Sequence, residues 1–148
     1  SVLVDYAHTD DALANAISAA KDFTEGKLIV VFGCGGDRDK GKRKTMGQVV
    51  LSGADFTVIT SDNPRSEDPE QIIGDILQGV PASVREGQDY VAIIHREKAI
   101  EHAIHLAEKN DLVLIAGKGH EDYQILKTGA IHFDDREVAR SALRKRGQ

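Results

Sequence analysis

Five short segments of this chain carry polar residues that could do chemistry, and each follows a run of aliphatic and β-branched residues. Three of the five set charged side chains beside glycine, proline or asparagine, residue types that favour sharp turns. This clustering indicates a binding site more strongly than any single motif does. The five segments are residues 6–10, 34–40, 61–65, 95–97 and 117–122.

The segment Asp-Asn-Pro-Arg at residues 62–65 directly follows a hydrophobic strand. Its first three residue types favour β-turns, so a plain turn is the simplest interpretation. A turn alone does not account for Arg65 at the carboxyl end of a strand, where a guanidinium can hold a carboxylate through two parallel hydrogen bonds. We therefore interpret the segment as a turn that presents Arg65 to a carboxylate.

Other charged residues extend this hypothesis. Arg38, in a neighbouring loop, could hold a second carboxylate, and the side chains of Asp62 and Glu121 could accept hydrogen bonds from ammonium groups. Two guanidinium groups and two carboxylates together complement a ligand that itself carries two carboxylates and two amines. Composition alone does not single out one such molecule.

The glycine-rich loop suggests a different ligand. Residues 36–42 fit the phosphate-binding pattern G-x-x-x-x-G-K, but position 43 is arginine where a P-loop needs serine or threonine to hold magnesium. Asp37 and Asp39 would also repel phosphate. The alternative is a tight turn whose glycines permit unusual backbone angles. We favour a turn that projects its charged residues over the edge of the sheet.

The first strand ends in Asp-Tyr-Ala-His. One interpretation is a helix start capped by Thr9 or Asp10. In the other, Asp5 and His8 meet a nucleotide or its metal ion.

For the segment Gly-Lys-Gly-His-Glu at residues 117–121, a structural turn and a ligand-binding role are equally supported. His95, His102 and His105 lack the spacing of metal ligands, so we predict surface histidines and no metal site.

The pattern of apolar residues predicts alternating strands and helices. This alternation is typical of an α/β fold with a doubly wound, mostly parallel (Rossmann-like) sheet and flanking helices. Ligands of such sheets bind beyond the carboxyl ends of the strands, where the five polar segments lie. Strands are predicted at 2–5, 27–33, 56–60, 91–95 and 112–116, helices around 13–20, 72–77 and 99–107, a shorter helix near 46–50, a C-terminal hairpin at 124–133 and a final helix.

Bulk composition excludes several classes of protein. The 148 residues suit one compact domain, and a net charge of −5 disfavours a nucleic-acid binder. The longest apolar run is far shorter than the ~20 residues of a membrane helix, so we expect no membrane association. A single cysteine and the lack of a signal-peptide pattern favour the cytoplasm.

Taken in order, these motifs resemble the Mur ligase family over essentially the whole chain. The resemblance rests on Asp-Tyr-Ala-His, Gly-Cys-Gly-Gly-Asp-Arg-Asp-Lys-Gly-Lys-Arg, Asp-Asn-Pro-Arg and Ala-Gly-Lys-Gly-His-Glu-Asp-Tyr-Gln. Within this family, Asp-Asn-Pro-Arg marks members that add meso-diaminopimelate, and lysine-adding relatives lack its arginine.

The resemblance implies which residues bind what. Asp5 and His8 would approach ATP, which together with Mg²⁺ is bound mainly by a central domain outside this chain. UDP-MurNAc-dipeptide, the second substrate, would be held by the rest of the enzyme. ATP would phosphorylate its glutamate carboxylate, and an amine of diaminopimelate would displace the phosphate. The implied meso-diaminopimelate site consists of Arg38, Asp62, Asn63, Pro64, Arg65, Gly117 and Glu121.

We therefore expect residues 1–148 to be the C-terminal, amino-acid-binding domain, without a catalytic residue of its own and inactive in isolation. Two alternatives remain. A phosphate- or nucleotide-binding domain using residues 36–42 would bind nucleotide tightly by itself, whereas a non-catalytic flavodoxin-like interaction module would have no small-ligand site.

Overall fold

Strands and helices alternate along most of the chain in the computed structural model, which describes residues 1–147. None of the helices in that range is long and apolar enough to cross a membrane. The elements are β1 (Val2–Asp5), α1 (Asp10–Phe23), β2 (Leu28–Phe32), α2 (Gly41–Gly53), β3 (Phe56–Ile59), α3 (Pro69–Leu77), β4 (Tyr90–Ala92), α4 (Arg96–Leu106), β5 (Leu112–Ala116), β6 (Tyr123–Leu126), β7 (Gly129–His132) and α5 (Asp135–Arg146).

Five strands form one parallel sheet in the order β1-β5-β2-β3-β4. The two interior strands β2 and β5 read Leu-Ile-Val-Val-Phe and Leu-Val-Leu-Ile-Ala, and every one of their residues is buried. Continuous apolar strands of this kind require helices on both faces of the sheet. The prediction of a doubly wound α/β fold is confirmed.

Each face of the sheet has its own core. Along β2, Leu28, Val30 and Phe32 pack with α1, α2 and α3, whereas Ile29 and Val31 pack with α4 and α5. Successive side chains of a strand point to opposite faces, so one apolar run supplies both cores. The packed sheet is a rigid base for the loops at its carboxyl edge.

Three helix starts use side-chain caps, as the sequence predicts. Thr9 accepts a hydrogen bond from the backbone of α1, and Asp68 does so for α3, where proline occupies the first position. Asp134 caps α5 by accepting from the Arg136 N–H at 2.9 Å. Asp134 and Glu137 have the spacing of a capping box, but its reciprocal half is not formed, because the Glu137 carboxylate pairs with His132 at 2.9 Å.

Two elements depart most clearly from the prediction. The helix after β2 is not short: it has 13 residues and begins at Gly41, within the glycine-rich loop. Its first turn is polar and has no apolar periodicity, so sequence pattern could not reveal it. Strand β4 ends at Ala92, and His95 instead becomes the residue that precedes α4.

The predicted C-terminal hairpin is present as the antiparallel pair β6–β7, separate from the main sheet. Gly129 begins β7 with φ +124, a backbone angle that favours glycine. The hairpin is attached to the Asp-Asn-Pro-Arg segment, since the Arg65 N–H donates to the Ile125 carbonyl at 3.0 Å. It therefore acts as a support for that loop.

Candidate functional site

A cleft of about 560 Å³ lies at the carboxyl edge of the sheet, between the loops that follow β1, β2, β3 and β5. The parallel arrangement brings these loops together although they are far apart in sequence. Of the residues predicted for the site, seven line this cleft: His8, Arg38, Asp62, Asn63, Arg65, Gly117 and Glu121.

Arg65 has an unusual backbone and an incompletely paired side chain. Its φ of 54 lies in the left-handed region, and its Nη1 donates to the carbonyl oxygens of Gly36 at 3.0 Å and Asn63 at 3.4 Å. The guanidinium has no carboxylate partner within residues 1–147. Its remaining N–H groups are therefore available to a ligand carboxylate. Pro64, also predicted for the site, is buried and does not line the cleft.

The loops that carry Arg38 and Arg65 are joined to each other. The Gly36 N–H donates to the Asn63 carbonyl at 2.8 Å, and the Asp37 N–H donates to Glu67 Oε2 at 2.5 Å. Ser66 Oγ donates to Asp37 Oδ1 at 2.6 Å. A side chain at Gly36 would put its Cβ 1.8 Å from a carbonyl oxygen of the 62–65 turn, so this close approach requires glycine. Arg38 and Arg65 are thus held on the same side of the cleft.

Behind this junction lies a buried ion network that sequence reasoning missed. Arg43 is 1% exposed and donates to Glu67 at 2.7 Å, to Asp75 at 2.9 Å and to the Gly35 carbonyl at 3.1 Å. Hydrogen bonds from Arg43, and then from the Asp37 N–H, lower the pKa of Glu67 to about 2. The network ties α2 to α3 beneath the cleft.

The same network argues against a P-loop at residues 36–42. Position 43, where a P-loop hydroxyl would hold magnesium, is the buried arginine of that network. The Gly41 N–H at the start of α2 already donates to the Asp39 carboxylate at 2.9 Å. An anion that caps the helix from within the chain competes with a phosphate for that position.

Acidic residues line the same cleft. Asp62 is 8% exposed, and its Oδ1 accepts no hydrogen bond from the residues that the structure describes. Gly117 has φ +117, and a Cβ there would lie 3.2 Å from Asp62 Oδ2, so glycine keeps this carboxylate open to the cleft. Glu121 accepts a hydrogen bond from the Tyr123 hydroxyl at 3.1 Å. Both residues line the cleft, so their carboxylates could accept hydrogen bonds from an ammonium ligand.

A fully buried lysine lies beneath these acids, and sequence reasoning did not single it out. Lys118 Nζ donates to Asn63 Oδ1 at 2.7 Å and to the Tyr123 carbonyl at 2.8 Å. It also lies 3.4 Å from Asp62 and 3.8 Å from Glu121. The available signal was weak: a lysine between two glycines, directly after a buried strand.

A second buried cation, Arg96, joins the strands that carry the site. It makes two hydrogen bonds to Asp135, at 2.7 and 2.8 Å, and donates to the carbonyls of Ser61 and Ala116. Those carbonyls come directly before Asp62 and the 117–121 segment. Burial lowers the pKa of Arg96, but the carboxylate of Asp135 more than offsets this and the net shift is upward.

The two residues predicted for the nucleotide side are placed differently from each other. Asp5 is exposed but does not line the cleft, and its carboxylate accepts from the Ala7 N–H at 2.8 Å. His8 is exposed and lines the cleft, where its ring packs edge-on against Tyr6 at 4.7 Å between centroids. Of these two exposed residues, only His8 presents its side chain to the cleft.

Nucleophilic and metal chemistry find little support. Burial raises the pKa of the Cys34 thiol to about 12, and its Sγ lies 3.6 Å from the Met46 sulfur. A neutral, enclosed thiol is a poor nucleophile. In the described part of the chain, histidine, cysteine and carboxylate side chains form no group of three that could hold a metal ion.

Comparison with known proteins agrees with the fold and the motifs. Residues 1–119 match the family described as Mur ligase, glutamate ligase domain. The chain is 58% identical over 146 residues to the UDP-N-acetylmuramoyl-L-alanyl-D-glutamate–2,6-diaminopimelate ligase of Parasynechococcus marenigrum, covering 99% of this chain and 28% of the relative. The protein of the same name from Clostridium botulinum is 51% identical over 144 residues, covering 97% of this chain and 29% of that protein.

A solved structure of a protein with that name superposes with a TM-score of 0.92 at 46% identity, over 99% of this chain and 30% of that structure. The chain thus spans less than a third of the length of these relatives. The family match over residues 1–119 and the near-complete coverage of this chain by its relatives lead to one conclusion: the chain belongs to the Mur ligase family.

Proposed function

We propose that this chain is the C-terminal, amino-acid-binding domain of an ATP-dependent cytoplasmic ligase that adds meso-diaminopimelate to UDP-MurNAc-L-Ala-D-Glu. The observation that carries the proposal is the charge arrangement of the cleft. The incompletely paired guanidinium groups of Arg38 and Arg65 line the cleft together with the carboxylates of Asp62 and Glu121. The names of the relatives supply the same substrate class independently.

In this proposal the arginines bind the two carboxylates of the amino acid. Arg65 takes the distal carboxylate through the N–H groups that its backbone contacts leave free, and Asn63 adds a hydrogen bond. Arg38, whose Nη1 donates only to the Asp37 carbonyl, takes the other carboxylate. The turn around Pro64 presents Arg65 and Asn63 together.

The acids bind the amines. Asp62 accepts from an ammonium group through Oδ2, the oxygen beside Gly117, where the lack of a side chain leaves room for that group to approach. Glu121, which also lines the cleft, accepts from a second donor. The domain thereby positions the attacking amine and contributes no catalytic residue to the bond-forming step.

ATP and Mg²⁺ fit this chain only at its margin. The family resemblance assigns the metal and most of the nucleotide to other parts of the enzyme, and the described residues form no group of three histidine, cysteine or carboxylate side chains that could hold a metal ion. Asp5 and His8 would contact the nucleotide through their exposed polar atoms as the domains close. ATP supplies the phosphoryl group that activates the glutamate carboxylate of UDP-MurNAc-dipeptide.

The test is a comparison of meso-diaminopimelate with lysine, which lacks the distal carboxylate, in the full-length ligase that contains this domain. A site built for a polar group can reject an analogue lacking it by roughly 10⁴-fold. Replacing Arg65 with alanine should cost diaminopimelate about 2–5 kcal/mol in kcat/KM, the range for removing one partner of a buried charge pair. Lysine should lose much less.

Arg85→Ala is the matched control, because this arginine precedes β4, is remote from the cleft and should leave both substrates unchanged. Equal losses for diaminopimelate and lysine in Arg65→Ala would remove Arg65 from recognition of the distal carboxylate. For the isolated chain we expect no ATP turnover, and tight binding of ATP alone in calorimetry would instead favour a nucleotide-binding domain.

A further inference from the structure

We infer that Lys118 is a positioning residue that holds the Asn63 amide with its nitrogen toward the cleft, and so helps the site select a ligand with a second carboxylate. Nothing in the proposed function uses this lysine. The inference rests on that proposed function and adds a determinant of its selectivity.

The orientation of the Asn63 amide follows from its hydrogen bonds. Lys118 Nζ lies 2.7 Å and the Ile125 N–H 2.9 Å from the same side-chain atom of Asn63. Both partners are donors and an ammonium cannot accept, so that atom must be the amide oxygen. The other amide atom is therefore the Nδ2 nitrogen, which bonds to no other described residue. Asn63 lines the cleft, so this NH₂ group is the part available to a ligand acceptor.

The burial of Lys118 indicates a role beyond stability. Its side chain is 0% exposed, and burial lowers its pKa, an effect that the nearby Asp62 carboxylate opposes. Well-packed apolar residues often stabilise a fold as well as buried ion pairs do, so stability does not by itself account for this lysine. What an apolar side chain could not do is donate a hydrogen bond to Asn63.

Loss of the lysine should therefore act selectively. Without Nζ, the Ile125 N–H is left as the one described donor that holds the Asn63 oxygen, so the amide can rotate more readily and present its oxygen to the distal carboxylate of the ligand. A lone pair opposite a carboxylate is repulsive, whereas the affinity for a ligand without that carboxylate would change little. Lys118 also lies between the two acids of the cleft, so its removal leaves their charges less balanced.

The experiment uses the full-length ligase with Lys118→Met, an apolar replacement of similar length. We expect KM for meso-diaminopimelate to rise on the order of 100-fold with kcat nearly unchanged, as for loss of one partner of a buried hydrogen-bonded pair. KM for lysine should change much less, so the preference between the two amino acids shrinks. Lys127→Met is the matched control, because Lys127 is exposed at the tip of the hairpin that carries Ile125.

A second variant covers the case in which Lys118→Met does not fold. Asn63→Asp keeps the oxygen that Lys118 and Ile125 contact and replaces the NH₂ donor with a second oxygen, which shares the negative charge of the carboxylate. It should lower kcat/KM for diaminopimelate much more than for lysine. The inference is overturned if either folded variant lowers kcat/KM equally for both substrates, or leaves kcat/KM for diaminopimelate unchanged.

The substrate preference of the unmodified ligase shows whether a negative result contradicts the role of Lys118 or the proposed function. If the unmodified ligase does not prefer diaminopimelate to lysine, the proposed function itself is wrong. If it shows that preference and the variants keep it, only the role of Lys118 is wrong.

Discussion

Four arginines near the carboxyl edge of the sheet fall into two pairs. Arg43 and Arg96 are 1% and 2% exposed, and each forms hydrogen bonds with carboxylates of this chain. Arg38 and Arg65 line the cleft and donate only to backbone carbonyls within residues 1–147. The pairs share a residue type and a location, and differ in whether the chain itself neutralises the charge.

This difference distinguishes support from recognition. A buried guanidinium with a carboxylate partner is locked in place, and removing either partner leaves an uncompensated charge. A guanidinium held only by carbonyls keeps its positive charge for an incoming anion. The buried pair therefore should control stability, and the cleft pair should control binding.

The largest loss of stability is expected when Arg96 is replaced, because its ion pair with Asp135 is wholly buried. Arg96→Ala should lower the free energy of unfolding by about 3–5 kcal/mol, the cost of breaking a buried pair. Denaturant unfolding of the isolated domain measures it. Arg140→Ala is the control, because Arg140 is exposed on α5 and should change stability by less than about 0.5 kcal/mol. Equal losses of stability for the two substitutions would contradict the stabilising role assigned to Arg96.

The next effect is on Glu67, the partner of Arg43. Glu67→Gln should destabilise the domain at pH 7 by about 1.5–3 kcal/mol, the range for hydrogen bonds to charged groups. The pKa of Glu67 is lowered from 4.5 to about 2 on folding, so its charge stabilises the native state at pH values above about 4.5. This contribution is lost as the pH falls through about 2.

Unfolding curves from pH 7 to pH 2 test the sign. The stability difference between the unmodified domain and Glu67→Gln should be largest above pH 4.5 and shrink toward pH 2. Glu70→Gln, in the exposed first turn of α3, should give a small difference at every pH. A Glu67→Gln difference that stays constant across this range would show that the charge of Glu67 is not what stabilises the junction.

The smallest effect on stability is expected for Arg38, which is exposed. Arg38→Ala should leave the free energy of unfolding within about 0.5 kcal/mol of its original value. In the full-length ligase it should raise KM for diaminopimelate about tenfold, the equivalent of one charge-assisted hydrogen bond. Steady-state kinetics and denaturant unfolding on the same variant test both statements. If Arg38→Ala lowers stability without weakening binding of diaminopimelate, Arg38 serves to stabilise the domain, as Arg43 and Arg96 do.

The elements were largely predictable because their signals are local. β1 and β5 have the predicted bounds, and Thr9, Asp68 and Asp134 cap the helices that they precede. Placement of the polar segments at the carboxyl edge followed from the parallel topology. The start of α2 was not predictable, because its polar first turn has no periodic pattern.

The assignment of roles to cleft residues was predictable only in part. Arg38 and Arg65 could be proposed from charge and position, and their ligand remains a prediction. Lys118 and Arg96 escaped notice because key hydrogen-bond partners of these buried cations are distant in sequence, although Glu121 lies only three residues from Lys118. Their partners are 55 and 39 residues away, at Asn63 and Asp135.

The sequence by itself determined the alternation of strands and helices, the caps and the residue types available at the sheet edge, because each depends on neighbours within a few positions. Only the tertiary structure decided which charges are neutralised by partners within the chain and which remain available to a ligand. That division depends on burial and on contacts between distant loops, and an arginine in the sequence carries the same charge whether Asp135 is beside it or not.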